Sequence, residues 1–60
     1  MRLNESHIGK WVTVPVFWKG QYELVVRVYG ENVMTVPWEG ASERTNYNGD
    51  EARWELKDEN

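Results

Sequence analysis

Apolar side chains occupy every second position along most of this sequence, and no other feature constrains the fold as strongly. In the segments 10–18, 21–29, 32–38 and 52–57, the even positions are almost purely apolar, whereas the odd positions are mixed. Successive side chains of a β-strand point to opposite faces, so this alternation predicts four strands with one buried face. We expect that face to carry Val12, Val14, Val16, Trp18, Tyr22, Leu24, Val26, Val28, Met34, Val36, Trp38, Ala52, Trp54 and Leu56.

Turn-forming residues separate the first three predicted strands. The pair Lys19-Gly20 lies between the first two, and its glycine can adopt the positive φ of a tight hairpin. Permissive residues at 30–32 separate the second strand from the third. Pro15 and Pro37 lack the N–H that a sheet ladder needs, so each marks an edge, a bulge or a bend. These signals predict a meander of three antiparallel strands.

The remaining segments carry weaker signals. Residues 39–51 are rich in turn formers and form a predicted loop, with room for a short strand near Thr45–Tyr47. A last strand at 52–57 returns to the sheet, and the tail 58–60 is predicted to fray. Residues 1–9 are compatible with a turn of helix or with an extended lead-in.

Short curved strands around an aromatic core define the predicted fold class. The stretches "GKWVTVPV", "NVMTVPW" and "RWEL", with a long hairpin between the first two, resemble an SH3-like small barrel from about Ile8 to Lys57. The resemblance implies an all-β fold, a four- to five-stranded antiparallel barrel or strongly curved sheet. It carries over no binding residues, because the acidic and aromatic peptide-binding signature of eukaryotic SH3 domains has no counterpart here. A five-stranded oligonucleotide-binding barrel and a two-layer sheet with one short helix are the alternatives.

Length and composition limit the possible stabilising features. Sixty residues predict a single domain, 1–60, that compensates for a small core with four tryptophans, three tyrosines and one phenylalanine. The absence of cysteine excludes disulfides and thiolate metal sites. No apolar run approaches the roughly 20 residues of a membrane-spanning helix, and we expect a cytoplasmic protein.

Charge is unevenly distributed along the chain. Residues 1–38 carry four basic and three acidic side chains, whereas residues 39–60 carry three basic and seven acidic ones. A protein that binds a phosphate backbone usually presents a basic stripe, so the acidic third disfavours nucleic acid as the partner.

Groups suited to catalysis or metal binding are sparse. His7 is the only histidine, and Ser6 and Ser42 are the only serines. The adjacent carboxylates Asp50-Glu51 and Asp58-Glu59 are typical of a solvated turn and tail. We therefore expect no enzymatic activity, no cofactor and no bound metal.

The odd face of the predicted meander holds a surplus of apolar side chains. If the even face fills the core, the odd face presents an apolar strip, with Trp11 near Tyr29 and Phe17 near Glu23. Exposed apolar surface marks interaction sites, and aromatic residues often supply the binding energy. The predicted partner-binding residues are Trp11, Phe17, Val25, Arg27, Tyr29 and Val33. A cover formed by residues 39–50 and self-association are the other interpretations of the strip.

These features favour one function over three others. The first hypothesis is a small protein-binding module, a regulator or inhibitor of a host protein of the kind that phages and mobile elements encode. Stacking of the aromatics on single-stranded nucleic acid is the alternative. An acidic mimic of nucleic acid and a homodimer built by edge-strand pairing complete the set.

Overall fold

Residues 1–57 are described by a computed structural model, and in it the chain is an all-β protein, as predicted. The strands are antiparallel and form one open sheet in the order β4-β3-β2-β1-β5. A single turn of 3-10 helix, Glu5–His7, precedes them. The predicted fraying of 58–60 lies outside the described residues. The strand bounds are β1 Trp11–Thr13, β2 Glu23–Tyr29, β3 Asn32–Val36, β4 Arg44–Tyr47 and β5 Glu55–Leu56.

The first strand is much shorter than predicted. β1 ends at Thr13, and residues 14–22 form a loop in which the Trp18 N–H donates to the Val14 carbonyl at 2.9 Å. The predicted two-residue hairpin at Lys19-Gly20 is therefore wrong. Pro15 supplies the physical reason, because it removes the N–H that would continue the ladder and turns the chain out of the sheet.

A β-bulge in β2 reverses the predicted alternation. Val25 lies opposite Thr35, but Arg27 lies opposite Met34, so Val26 is an extra residue on β2. An extra residue shifts every later side chain to the other face of the sheet. Val25 and Val28 consequently both pack on the core, one before and one after the bulge.

In β3 the odd positions as well as most of the even ones are buried, and the odd face packs on the main apolar cluster. Val33 and Thr35 are fully buried, and Val33 belongs to the main apolar cluster. The predicted partner-facing positions of Val25 and Val33 are wrong, since these side chains are only 1% and 0% exposed. The even face of β3 is buried as well, and Val36 lies opposite Leu24, which in turn lies opposite Trp11. These three side chains form a second apolar row. Because both faces of β3 are apolar and covered, alternation alone could not show which face packs on the main core cluster.

Two residues outside the alternating pattern, Leu3 and Asn48, close the core. Leu3 is buried among Val12, Val25, Val33 and Trp54. The side chain of Asn48 holds it there, accepting from the Leu3 N–H and donating to the Leu3 carbonyl, both at 2.9 Å. Both alternatives for residues 1–9 occur in part, since Glu5–His7 form a turn of 3-10 helix and Asn4 before it has extended backbone angles. Burying a leucine contributes roughly 2 kcal/mol, which is a large share of the stability of a chain this short.

The short strand near Thr45–Tyr47 exists and forms β4, one edge of the sheet. Trp38, which was expected in the core, is exposed in the loop that follows Pro37. Within residues 1–57, no helix has the length and apolar character needed to cross a membrane.

Candidate functional site

The loop at residues 14–22 presents two large apolar side chains to solvent. Val16 is 83% exposed and Phe17 is 73% exposed, although the sequence pattern placed Val16 in the core. Both lie in the turn that follows Pro15, where the chain has left the sheet. Exposed apolar side chains that adjoin one another are candidates for a contact surface.

Phe17 borders a groove between the two edges of the open sheet. One wall is β4, and the other is residues 51–54, which lead into β5. The groove has a volume of about 600 Å³, within the range of roughly 300–1,000 Å³ that ligand pockets occupy. We call it the edge groove; its main lining residues are Val14, Phe17, Trp18, Thr45, Asn46, Tyr47, Ala52 and Trp54.

Two tryptophans form the base of the edge groove. The rings of Trp18 and Trp54 meet edge to face, with centroids 5.5 Å apart and planes at 89°. Trp54 is buried in the main core cluster, so it fixes the position of Trp18 at the surface. The indole N–H of Trp54 is buried and has no hydrogen-bond acceptor among the described residues. Buried polar groups are nearly always paired, so this donor is an exception that a bound acceptor would remove.

A buried polar network orients Trp18 from the other side. The Glu23 carboxylate accepts from the Thr35 hydroxyl at 2.7 Å and from the Arg44 guanidinium at 2.8 Å. Arg44 also lies over the Trp18 ring, 5.5 Å from its centroid, in a cation–π contact. The Asn46 amide donates to the Thr35 hydroxyl at 2.9 Å, so every side chain of the network has a partner. A buried carboxylate is tolerable only when it is paired in this way.

The backbone at the tip of the loop is strained. Val16 has a φ of 71° and Lys19 has a φ of 54°. A β-branched residue rarely adopts the left-handed region, which costs about 1–2 kcal/mol. No burial of Val16 compensates for this cost, because its side chain is exposed. Uncompensated strain of this kind concentrates at functional sites.

Tyr47 forms the far rim of the groove. It is exposed, and its ring lies directly on Gly49, where an added Cβ would overlap the phenol. Gly49 is therefore needed here for close approach rather than for a positive φ. The glycine lets Tyr47 lie flat along the rim at the end of β4.

The surface on the other side of Phe17 is acidic. A second, shallower depression of about 750 Å³ is lined there by Asp50, Glu51 and Glu55, with Arg53 among them. All four of these side chains are exposed. Asp50 is only loosely paired, 3.8 Å from the Arg2 guanidinium. A ligand that reaches across Phe17 therefore meets three carboxylates and one guanidinium.

The residues of the predicted strip do not come together. Trp11 is half-buried opposite Leu24, not beside Tyr29, which lies opposite Asn32 where β2 ends. Phe17 lies in the loop, away from any ladder partner. Arg27 is engaged by Glu43, 2.8 Å away, and the hydrogen bond to this carboxylate holds the pKa of the guanidinium above its ordinary value.

Phe17 is thus the one predicted site residue that borders the edge groove. Trp18 and Trp54 were assigned to the core, and Tyr47 was considered only as a cover for the strip. The signal that identifies the loop is Pro15, which ends β1 before the exposed pair at 16–17.

His7, the only histidine of the chain, has a structural role. The Nδ1 atom of His7 accepts from the Asn4 N–H at 2.9 Å, and the Asn4 side chain accepts from the Ser6 N–H. These bonds cap the 3-10 turn. Among residues 1–57, no three histidine or acidic side chains are grouped as metal ligands would be.

Comparison with known proteins gives no relative for this chain: no family model, no curated protein and no solved structure matches it.

Proposed function

We propose that this protein is a small non-enzymatic protein-binding module that engages its partner at the edge groove. The observation that carries the proposal is the exposed pair Val16 and Phe17, held by a strained backbone, of which Phe17 borders the edge groove and Val16 lines the adjoining depression. Aromatic anchors beside well-packed pockets supply most of the energy of protein interfaces. The predicted strip is replaced in this proposal by a site that retains only its Phe17.

The proposal extends to the fold family and the biological role. Five short antiparallel strands in one sheet, whose edge strand β4 faces residues 51–54 across one groove, support a resemblance to SH3-like small barrels. A protein of this kind binds a partner with the side chains of its loops and strand edges and does not catalyse a reaction in a pocket. We further propose a regulator or inhibitor that acts by occupying a surface of a larger protein, as small proteins of phages and mobile elements do.

Charge favours protein over nucleic acid as the partner. The three carboxylates beside Phe17 would repel a phosphate backbone, and Arg44 is already engaged by Glu23. Titration of tryptophan fluorescence with single-stranded DNA and RNA at low salt should give no change. A saturable change that fades with added salt would favour the nucleic-acid alternative instead.

A matched pair of exposed aromatics tests the proposal. Phe17 borders the groove, whereas Tyr29 is exposed elsewhere on the sheet, so we compare Phe17→Asp with Tyr29→Asp. Immobilised wild-type protein and both variants are incubated with nuclease-treated lysate, and the retained proteins are identified by mass spectrometry. We expect a set of proteins that wild type and Tyr29→Asp retain and that Phe17→Asp loses. Equal retention by all three, with both variants folded, contradicts the proposed site.

A further inference from the structure

The outer side of β4 is an unpaired strand edge. β4 ends the sheet, with β3 as its only neighbour in the described part of the chain. The Asn48 N–H donates to the Glu31 carbonyl at 2.9 Å, which places a hydrogen-bonded pair just beyond the strand. Hydrogen-bonded and non-hydrogen-bonded residue pairs alternate along an antiparallel ladder. Counting back from Asn48, the backbone N–H and C=O groups of Asn46 and Arg44 therefore bond to β3. The N–H and C=O groups of Thr45 and Tyr47 therefore point away from the sheet.

This edge lacks the features that usually protect one. Edge strands are commonly blocked by proline, by a bulge or by a charged side chain that points outward. β4 contains no proline and pairs with β3 in unbroken register. Its one charged side chain, Arg44, turns back to Glu23. The edge groove runs directly beside this strand, since Thr45 and Tyr47 line it.

We propose that an extended segment of the partner protein adds to the sheet as a strand along Thr45–Tyr47 and fills the edge groove. This inference rests on the proposed protein-binding function and deepens it. Main-chain hydrogen bonds to Thr45 and Tyr47 supply the register, as in other cases of strand addition. The inserted strand lies between the two edges of the sheet, where it contacts Phe17 and the base of the groove.

Charge complementarity specifies the side chains of that segment. On an added strand, alternate side chains face opposite sides. One set meets the aromatic base of the groove and is apolar. Glu51 and Arg53 line the edge groove, and Asp50 and Glu55 line the adjoining depression, so carboxylates outnumber guanidinium groups on this side and the other set is basic. The partner segment is therefore a short stretch in which apolar residues alternate with lysine or arginine.

The amides of Thr45 and Tyr47 provide a direct readout. The probe is a peptide of about six residues, the length of a typical strand, that alternates lysine and valine. Added to the ¹⁵N-labelled full chain, it should slow the hydrogen exchange of these two amides and shift the Trp54 indole N–H. A version N-methylated at every second residue, and a version that alternates glutamate and valine, should do neither. Absence of protection with the lysine–valine peptide, or equal binding of the N-methylated version, overturns the proposal.

A variant of the edge separates this inference from the proposed function. Thr45→Pro removes an outward N–H and leaves the ladder to β3 intact, whereas Thr45→Val keeps the N–H and serves as the control. Loss of this hydrogen bond should weaken peptide binding about tenfold in Thr45→Pro alone. If Thr45→Pro retains from lysate the proteins that Phe17→Asp loses, protein binding stands and strand addition is overturned. Protection that rises with protein concentration in the absence of peptide assigns the edge to a second copy, which also overturns it.

Discussion

The guanidinium of Arg44 lies 2.8 Å from the carboxylate of Glu23, a side chain that is only 5% exposed, while Arg27 lies at the same distance from Glu43, which is 41% exposed. The two arginine–glutamate pairs thus have the same length and differ in the burial of the acid. Only the first pair also supports the base of the edge groove, through the contact of Arg44 with Trp18. This contrast allows the buried network to be tested against an internal control.

Arg44→Met should destabilise the protein by about 2 kcal/mol, because it leaves the buried Glu23 carboxylate without its charged partner. Arg27→Met should have little or no measurable effect on stability, since exposed ion pairs contribute little. Urea unfolding followed by tryptophan fluorescence measures both. Equal losses in the two variants would contradict the assigned role of the network.

Val16→Gly should stabilise the protein by about 1 kcal/mol. Glycine removes the strain of the left-handed backbone conformation. The free energy gained in this way exceeds the free-energy cost of the extra flexibility that glycine gives the unfolded chain. The valine side chain is exposed, so its removal costs no core packing. Lys19→Gly should gain less, because lysine is not β-branched. If the Val16 side chain contacts the partner, the more stable Val16→Gly variant should also capture less of it. A Val16→Gly variant that is less stable than wild type would contradict the assignment of backbone strain.

Asn48→Ala should cost about 2 kcal/mol, because it removes both hydrogen bonds that hold the backbone of Leu3. Leu3→Ala should cost about 3 kcal/mol through the cavity that it leaves. The double variant should lose less than the sum of the two, since each change releases the same segment. Strict additivity, measured by chemical denaturation, would show that the amide and the leucine act independently.

Gly49→Ala should displace the exposed Tyr47 ring and destabilise the protein, by less than the roughly 1–3 kcal/mol that overpacking costs in a core, because the ring can move into solvent. Gly49 does not have a positive φ, so alanine suits the backbone. Tyr47→Ala should therefore rescue the stability of Gly49→Ala. A loss that persists in the double variant would mean that the backbone, not the tyrosine, requires glycine at this position.

The sequence was sufficient to predict an all-β meander, because alternation and turn residues are local signals, and it left room for the short strand at Thr45–Tyr47 within a predicted loop. It placed Trp54 and Val12 correctly in the core. The alternation of apolar residues gave the wrong faces where the strand contains an extra residue. The bulge at Val26 places the odd side chains before it, and the even side chains after it, on the same face of β2.

Long-range partners could not be predicted for a different reason. Asn48 and Leu3 are separated by most of the chain, and nothing near either residue indicates that they bond. The edge groove arises in the same way, from segments that the fold brings together. Phe17 was identified because it was apolar and surplus to the core, whereas its neighbours in the groove were not.

Site-specific crosslinking tests the central claim most directly. A photoreactive phenylalanine analogue is incorporated at position 17 in one sample and at position 29 in another, and each is irradiated in lysate. If the edge groove is the contact surface, position 17 should yield a discrete crosslinked protein and position 29 should not. Crosslinks from position 29 alone, or the same products from both positions, would place the partner elsewhere and contradict the account.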